Sequence, residues 1–417
     1  MYTPVSKYDK LENELKLKQL QIKSLLSITQ AINENIPASG LYTMYNTFLN
    51  WDLGVGKMAL FTEGKEGWEC VTQIGIDYYL NSLELSERFL KYQRTAPVKE
   101  KDRSLMSEFD VVIPVYHKKH PIAFSLIGEI RDDNGDVYDH IQFINTITNI
   151  VAVAIENKRL FKKQIEQERL KRSLELAAEM QRMLIPESVP ATREVEFDFY
   201  YKPHFNVGGD YLDIFVVDQS KYIFCIADVS GKGVAAALLM ANFQALLRSM
   251  VDKFQHLESL VQSLNEGVFR ITKGDKFISF FIGCMDLDRN LFEYVNAGHN
   301  PPLFLSDGKV SWLESGCPIL GVVEQLDNIE KGMELLDKDS LIFCYTDGIS
   351  EYKEPNGEFL GLDFIEKFSR KNSKLGARQF NARFLSELKT LGGDESFVDD
   401  IAFISCVYQK RRIKPIK

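Results

Sequence analysis

Between Tyr138 and Leu184 the apolar residues keep a helical period almost without a break, a run well beyond the length of an ordinary globular helix. A helix of that length cannot be folded into one compact core, so the chain must be organised on either side of it. Its first part, "IQFINTITNIVAVAI", is apolar enough to pack on whatever precedes it, whereas "ENKRLFKKQIEQERLKRS" is mostly charged and faces water. Leu170, Leu174, Ala177 and Leu184 then restore an apolar seam, and Pro186 and Pro190 end the helix. A rod of this kind between two sheet-rich blocks is expected to act over 158–186 as a coiled-coil linker that makes the protein a homodimer. A single solvated linker helix is the other reading.

The 417 residues suffice for roughly two to three domains. A 45% hydrophobic and 12% aromatic composition is that of a folded globular protein. The formal net charge of −9, with no basic stripe, argues against a nucleic-acid partner. The amino terminus lacks the apolar core of a secretory signal, and no run approaches the ~18 to 20 apolar residues that cross a bilayer, so a cytoplasmic protein with no membrane partner is expected. Cys70, Cys225, Cys284, Cys317, Cys344 and Cys406 form no Cys-x-x-Cys pair. Zinc-ribbon and thioredoxin-like chemistry are thereby excluded, and Cys225, Cys284, Cys344 and Cys406, in strand-like apolar runs, are expected to be buried reduced thiols.

Ahead of the rod, 1–36 reads as an N-terminal helix with Leu11, Leu15, Ile22, Leu25, Ile32 and Ile36 in alternating steps of three and four, Lys18 and Thr29 filling the gaps, and Pro37 as its stop. Residues 37–157 then read as a domain of two hairpins, "KMALFTEG" with "WECVTQIG" and "DVVIPVYH" with "HPIAFSLIGEI". That pattern resembles a GAF sensor domain: an entry helix, an antiparallel sheet and a long exit helix. The resemblance names no GAF ligand. His117, His120 and His140 are conceivable cofactor ligands, but His117 and His120 lie in a Lys-rich turn and are read as solvated.

Behind the rod, 187–410 alternates short strands with two helical blocks, and 411–417 is a basic tail. Here four carboxylates sit at the ends of apolar strands. Asp210 precedes "YLDIFVV" in phase with Leu212, Ile214 and Val216, and Asp228 ends "KYIFCIAD" in phase with Tyr222, Phe224 and Ile226. Asp347 ends "LIFCYTD", and Asp399 begins "DDIAFISCV" in phase with Ile401 and Phe403. Taken singly, Asp347 with Gly348 reads as a turn and Asp399 with Asp400 as a loop. Taken together, poorly solvated carboxylates are costly unless a cation pairs with them. An all-oxygen set suits hard ions, Mg2+ or Mn2+. Gly208, Gly209, Gly231 and Gly348 would let backbone approach ions and phosphate.

"VGGDYLDIF", "IADVSGKGVAAALLMA", "FFIGCMDL", "YVNAGHNPPLFL", "LIFCYTDGISE" and "DDIAFISCV" follow one another in an order that resembles the PPM (PP2C-type) serine/threonine phosphatases of the bacterial SpoIIE/RsbU branch, with "AAEMQRMLIPESVP" resembling the entry helix. The resemblance spans about 230 residues. It implies an α+β chain whose C-terminal part is an αββα sandwich of two antiparallel sheets with a two-metal site at one edge. It also implies that Asp210 and Asp228 hold the paired ions, that the Val229 carbonyl contributes, and that Asp347 and Asp399 complete the second ion, with Asp400 as substitute or support. In such a site two ions about 3.5 to 4 Å apart lower the pKa of a bridging water and neutralise the phosphoryl oxygens, so no protein nucleophile is needed.

The family's animal-type members carry a His two residues after the second aspartate; here that residue is Ser230. His299 in "AGHNPP" is a candidate replacement acid, though the motif reads better as a shaper of the fold beside the site. Lys232 and Gly231, at the start of a helix after Asp228, are candidate phosphate contacts. A P-loop is excluded because Gly233 follows the Lys. The resemblance further implies a phosphorylated protein substrate, a STAS-type anti-anti-sigma factor, and control by the N-terminal domain. A catalytically silent scaffold of the same fold is the alternative. A histidine kinase is excluded, since Glu156–Leu184 contains no His.

Overall fold

A computed structural model of the chain describes residues 7–64, 67–77, 82–99, 102, 106–130, 137–190, 192–353, 359–392 and 399–410, so the basic tail at 411–417 lies outside the described residues. The chain divides into two compact units, Met1–Arg169 and Leu170–Lys417. The division falls inside the segment expected to be a linker.

The first unit comprises helices α1 (Lys7–Asn33) and α2 (Ala38–Thr47), a π-helical turn (Phe48–Asp52), strands β1 (Val55–Glu63) and β2 (Trp68–Ile74), and helix α3 (Ser82–Phe89). Strands β3 (Ala96–Pro97), β4 (Val111–His117) and β5 (His120–Ile130) follow, and then the long helix α4 (Val137–Arg182), whose residues from Leu170 onward belong to the second unit. The sheet is antiparallel in the order β2-β1-β5-β4-β3, and both expected hairpins are present. On one face Ile28, Leu41, Ile144, Ile147 and Val151 bring α1, α2 and α4 against the sheet. The other face is filled by aromatic rings, Phe89 and Phe124 lying 4.4 Å apart with Trp68 edge-on to both. Tyr45 locks the helical face: its hydroxyl bonds Ser125 Oγ at 3.0 Å and Thr148 Oγ1 at 2.7 Å, and burial pushes its pKa up to about 12.

The N-terminal helix differs from its expected form. It ends at Asn33, Asn35 takes a left-handed φ of 55°, and Pro37 is the N-cap residue of α2 as well as a stop. Its apolar seam is split, because the unit's core reaches only the later turns: Leu25, Ile32 and Ile36 pack on that core, whereas Leu11, Leu15 and Ile22 are exposed. His117 and His120 are exposed as expected, while His140 is half-buried.

Helix α4 ends at Arg182, two residues before the expected limit, and Leu184 turns inward with its amide on the Gln181 carbonyl. The seam expected at Leu170, Leu174, Ala177 and Leu184 is divided. Leu170 is exposed and Leu184 packs on the core of the second unit, whose own buried line on this segment is Ala178, Gln181 and Ile185.

In the second unit the strands are β6 (Val195–Lys202), β7 (Tyr211–Val216), β8 (Lys221–Val229), β9 (Ile278–Asp286), β10 (Leu291–Ala297), β11 (Leu303–Ser306), β12 (Lys309–Trp312), β13 (Gly316–Cys317), β14 (Gly332–Leu335), β15 (Ser340–Tyr345) and β16 (Ile401–Tyr408). The helices are α5 (Val234–Met250), α6 (Leu257–Thr272), α7 (Asp347–Ser350), α8 (Gly361–Asn372) and α9 (Ala377–Leu391). One sheet runs β13-β10-β9-β8-β7 with β14 on β10, the other β12-β11-β15-β16-β6. Every pairing is antiparallel except β10 with β13.

Phe224 and Ile226 from the first sheet share a core with Phe197, Ala402 and Cys406 from the second, and Met240, Phe243 and Leu264 bring α5 and α6 into it. Phe343 and Phe403 on the second sheet's other face meet Phe380 and Phe384 of α9 and, through them, Phe368 of α8. The layers are helix, sheet, sheet, helix.

Covering both faces of a sheet removes the alternation that a half-buried strand shows. Residues 222–227 of β8 and all of β16 are buried on both sides. On β7 the expected face fails at Val216, which is exposed, while Asp213 on the opposite face is wholly buried. Asp213 accepts from Tyr211 Oη at 2.5 Å, from Arg248 Nε and Nη2 at 2.8 and 3.1 Å, and from the Ile214 amide at 2.9 Å. All six cysteines are free thiols, Cys225, Cys284, Cys344 and Cys406 being buried.

Candidate metal and phosphate site

The carboxylates singled out in the sequence come together where the two sheets meet at one edge. Asp210 lies just before β7, buried to 1% exposure; Asp228 is the penultimate residue of β8; and Asp347 opens the single-turn helix α7 rather than a turn. Asp399 and Asp400 lie just before β16. Burial and then the neighbouring charge of Asp228, with those of Asp400 and Asp347, hold the Asp210 carboxyl well above the usual range, against a lowering hydrogen bond from Thr346. Burial, then the charges of Asp347, Asp399 and Asp400, push Asp228 up to about 7. Burial, then Asp399 and Glu351, push Asp347 up to about 6.

Such mutual repulsion is what a cation relieves, and an all-oxygen donor set suits a hard divalent one. The donor chemistry therefore suits a metal, although among the described residues no group of three or more His, Cys, Asp or Glu side chains is placed to hold an ion as it stands.

The Asp399–Asp400 pair divides its tasks. Asp400 accepts the His204 amide on Oδ1 and the Gly209 amide on Oδ2, both at 2.7 Å, so it organises the loop in front of Asp210. Asp399 instead holds the Lys232 ammonium at 2.7 Å and accepts the Asp400 amide at 2.8 Å. Lys232, a candidate phosphate contact, is thus paired with a carboxylate, and the Lys276 ammonium stands beside Gly231.

The glycines permit close approach. A Cβ at Gly208 would fall 2.5 Å from Asp400 Oδ2, and one at Gly348 would fall 1.9 Å from the Asp400 carbonyl oxygen. The Val229 carbonyl lies beside Gly209 on the same edge.

His299 is buried, shares a 2.9 Å hydrogen bond with Ser279 Oγ through Nδ1, and receives support at its amide from Asn296 Oδ1 at 2.7 Å. Burial lowers its pKa to about 4, so at neutral pH it carries no proton to donate as an imidazolium. Ser230, in the position of the missing acid, is tied to Phe277 by amide and hydroxyl.

Two neighbours of the site escaped the sequence reading. The Gln181 side chain on α4 donates to the Gly208 carbonyl at 2.6 Å and accepts the Gly208 amide at 3.1 Å; nothing in "AAEMQRMLIPE" marks it apart from its helical phase. Thr346 donates to Asp210 Oδ2 at 2.8 Å, and its only signal was adjacency to Asp347.

Residues 218–408 match the profile of stage II sporulation protein E (SpoIIE). This chain carries a SpoIIE-type PP2C phosphatase domain. Its relatives include phosphoserine phosphatase RsbU of Bacillus subtilis (strain 168), 27% identical over 271 residues, which are 64% of this chain and 79% of RsbU. Phosphoserine phosphatase RsbP of the same organism is 26% identical over 186 residues, 43% of this chain and 46% of its own. Among solved structures, the SiaA-PP2C domain of Pseudomonas aeruginosa superposes with a TM-score of 0.53 over 59% of this chain and 99% of its own; at 18% identity that likeness speaks for the fold alone. No described helix of the phosphatase is long and apolar enough to cross a membrane.

Proposed function

We propose that the second unit hydrolyses phosphoserine or phosphothreonine in a protein substrate with the help of two divalent ions, and that the first unit regulates it. The observation that carries the reading is the convergence of Asp210, Asp228 and Asp347 at one sheet edge with raised proton affinity. Asp210, Asp228, Asp347 and Asp399, with the Val229 carbonyl, would hold the ions, and Asp400 keeps the glycine loop in place. Bound ions would supply an activated water and neutralise the phosphoryl oxygens during in-line attack. Lys232 would exchange between Asp399 and the incoming phosphate, with Gly231 giving the phosphate room beside it. The neutral His299 acts as a brace rather than an acid. RsbU and RsbP, by name phosphoserine phosphatases, support the substrate class, and a STAS-type anti-anti-sigma factor is the proposed partner.

Thermal unfolding with EDTA and with Mn2+ tests the metal assignment. The pKa values of Asp228 and Asp347 are raised in the folded state, so without metal the native protein binds more protons than the unfolded chain between about pH 4 and 7. Their contribution to stability is therefore present at low pH and lost as pH rises through about 6 and 7. Metal should stabilise the protein, by about 2.7 kcal/mol at a hundred times Kd, and the gain should be larger at pH 7.5 than at pH 5.5. An equal gain at both values would separate metal binding from these carboxylates.

The regulatory part rests on helix α4 running unbroken from Val137 to Arg182. Inserting about four residues near Glu168, which turns one end of the helix relative to the other, should change turnover while both units stay folded. Unaltered turnover in a folded, dimeric insertion variant would count against mechanical coupling. Dimerisation through the exposed part of this helix and sensing by a GAF-like first unit belong to the same proposal, with the sensed ligand unnamed.

A further inference from the structure

The hydroxyl of Thr346 stands between the two sheets. Thr346 is wholly buried between the end of β15 and the start of α7. Its amide donates to the Ala402 carbonyl at 2.9 Å, and the Ala402 amide donates to its Oγ1 at 3.0 Å, which fastens β15 to β16. The same oxygen lies 2.8 Å from Asp210 Oδ2, on the loop leading into the other sheet, and 3.3 Å from the Ala402 carbonyl.

A threonine hydroxyl has one proton to give. With the Ala402 amide occupying an oxygen lone pair, and a carboxylate both nearer and more strongly accepting than the carbonyl, that proton is directed at Asp210. Among the described residues Thr346 is the only hydrogen-bond donor to this carboxylate, so one oxygen is fixed and the other is left for a further partner.

We propose that Thr346 is a positioning residue for Asp210: it fixes the carboxylate in the orientation that receives a divalent ion, and it makes metal affinity depend on the alignment of the two sheets. The inference rests on Asp210 being a metal ligand, as proposed above. Outer hydrogen bonds of this kind commonly alter metal affinity by about 10- to 100-fold when removed.

The test compares wild type, Thr346→Val, Thr346→Ser and Asp210→Asn in the full chain, titrating Mn2+ and reading both the rise in melting temperature and the turnover of p-nitrophenyl phosphate. Val keeps the volume and loses the hydroxyl; Ser keeps the hydroxyl. The expected result is a half-saturating Mn2+ concentration raised about tenfold or more in Thr346→Val, with turnover largely recovered at high Mn2+, and wild-type behaviour within about threefold in Thr346→Ser. If the Val variant does not fold, Thr346→Ala, with room for a water at the Ala402 amide, takes its place and should show the same weakening.

Half-saturation unchanged in a folded Val or Ala variant overturns the positioning role while leaving the metal site intact. A Ser variant as weak as Val also overturns it, by assigning the effect to the methyl group. Wild type that gains no stability from Mn2+, or an Asp210→Asn variant that gains as much as wild type, overturns the metal assignment itself and the inference with it.

Discussion

Asp228→Asn is expected to abolish Mn2+-dependent hydrolysis of p-nitrophenyl phosphate and of a phosphoserine peptide while making the metal-free protein more stable. The two effects have one cause. Asp228 reaches a proton affinity of about 7 because burial and the charges of Asp347, Asp399 and Asp400 oppose its ionisation. The amide is nearly the same size and carries no charge, so it removes that repulsion and, with it, the proposed metal ligand. Loss of several kcal/mol of transition-state charge stabilisation, at about 1.4 kcal/mol per decade, lowers turnover by on the order of a thousandfold. Asp347→Asn should behave alike. Melting curves in EDTA beside the rate measurement distinguish this from simple damage: activity lost together with metal-free stability would mean that the side chain holds the fold, and wild-type turnover would refute its role.

Arg248→Met is expected to cause the largest loss of stability in the phosphatase unit without touching the carboxylate cluster. Asp213 is fully buried and depends on Arg248 for two of its hydrogen bonds, while Arg248 itself keeps 48% of its side chain exposed. Removing the arginine strands a buried anion, which costs about 3–5 kcal/mol; in a unit of this size that is roughly 6–20 °C in melting temperature. Removing both charges in Asp213→Leu/Arg248→Met should recover more than half of the loss, because the stranded anion is gone. A single-variant change within about 2 °C would show that water reaches Asp213 after all.

Much of this architecture was legible in the residues for physical reasons. A helical period kept from Tyr138 onward has no other outcome than a long helix, and aspartates at the mouths of apolar strands are conspicuous because burying them is expensive. What stayed hidden depends on neighbours distant in sequence. The phase of β7 placed Val216 inside and gave no role to Asp213, since only the fold brings Arg248 to it. Asp399 and Asp400 were indistinguishable until the His204 and Gly209 amides took the second and Lys232 the first. The seam of α4 could be read as apolar, but that part of it is spent on the phosphatase's own core required the partner surface to be known.

The bidentate grip of Gln181 on the Gly208 peptide fixes where a catalytic fragment can begin. A protein trimmed to start near residue 187, the border that the prolines suggest, would leave the amide and the carbonyl of Gly208 without these partners and would remove the buried Ala178 and Ile185. The smallest self-sufficient phosphatase therefore carries the final turns of the long helix with it, and a truncation series should show a step in yield and solubility as its start crosses Ala178, not as it crosses Pro186.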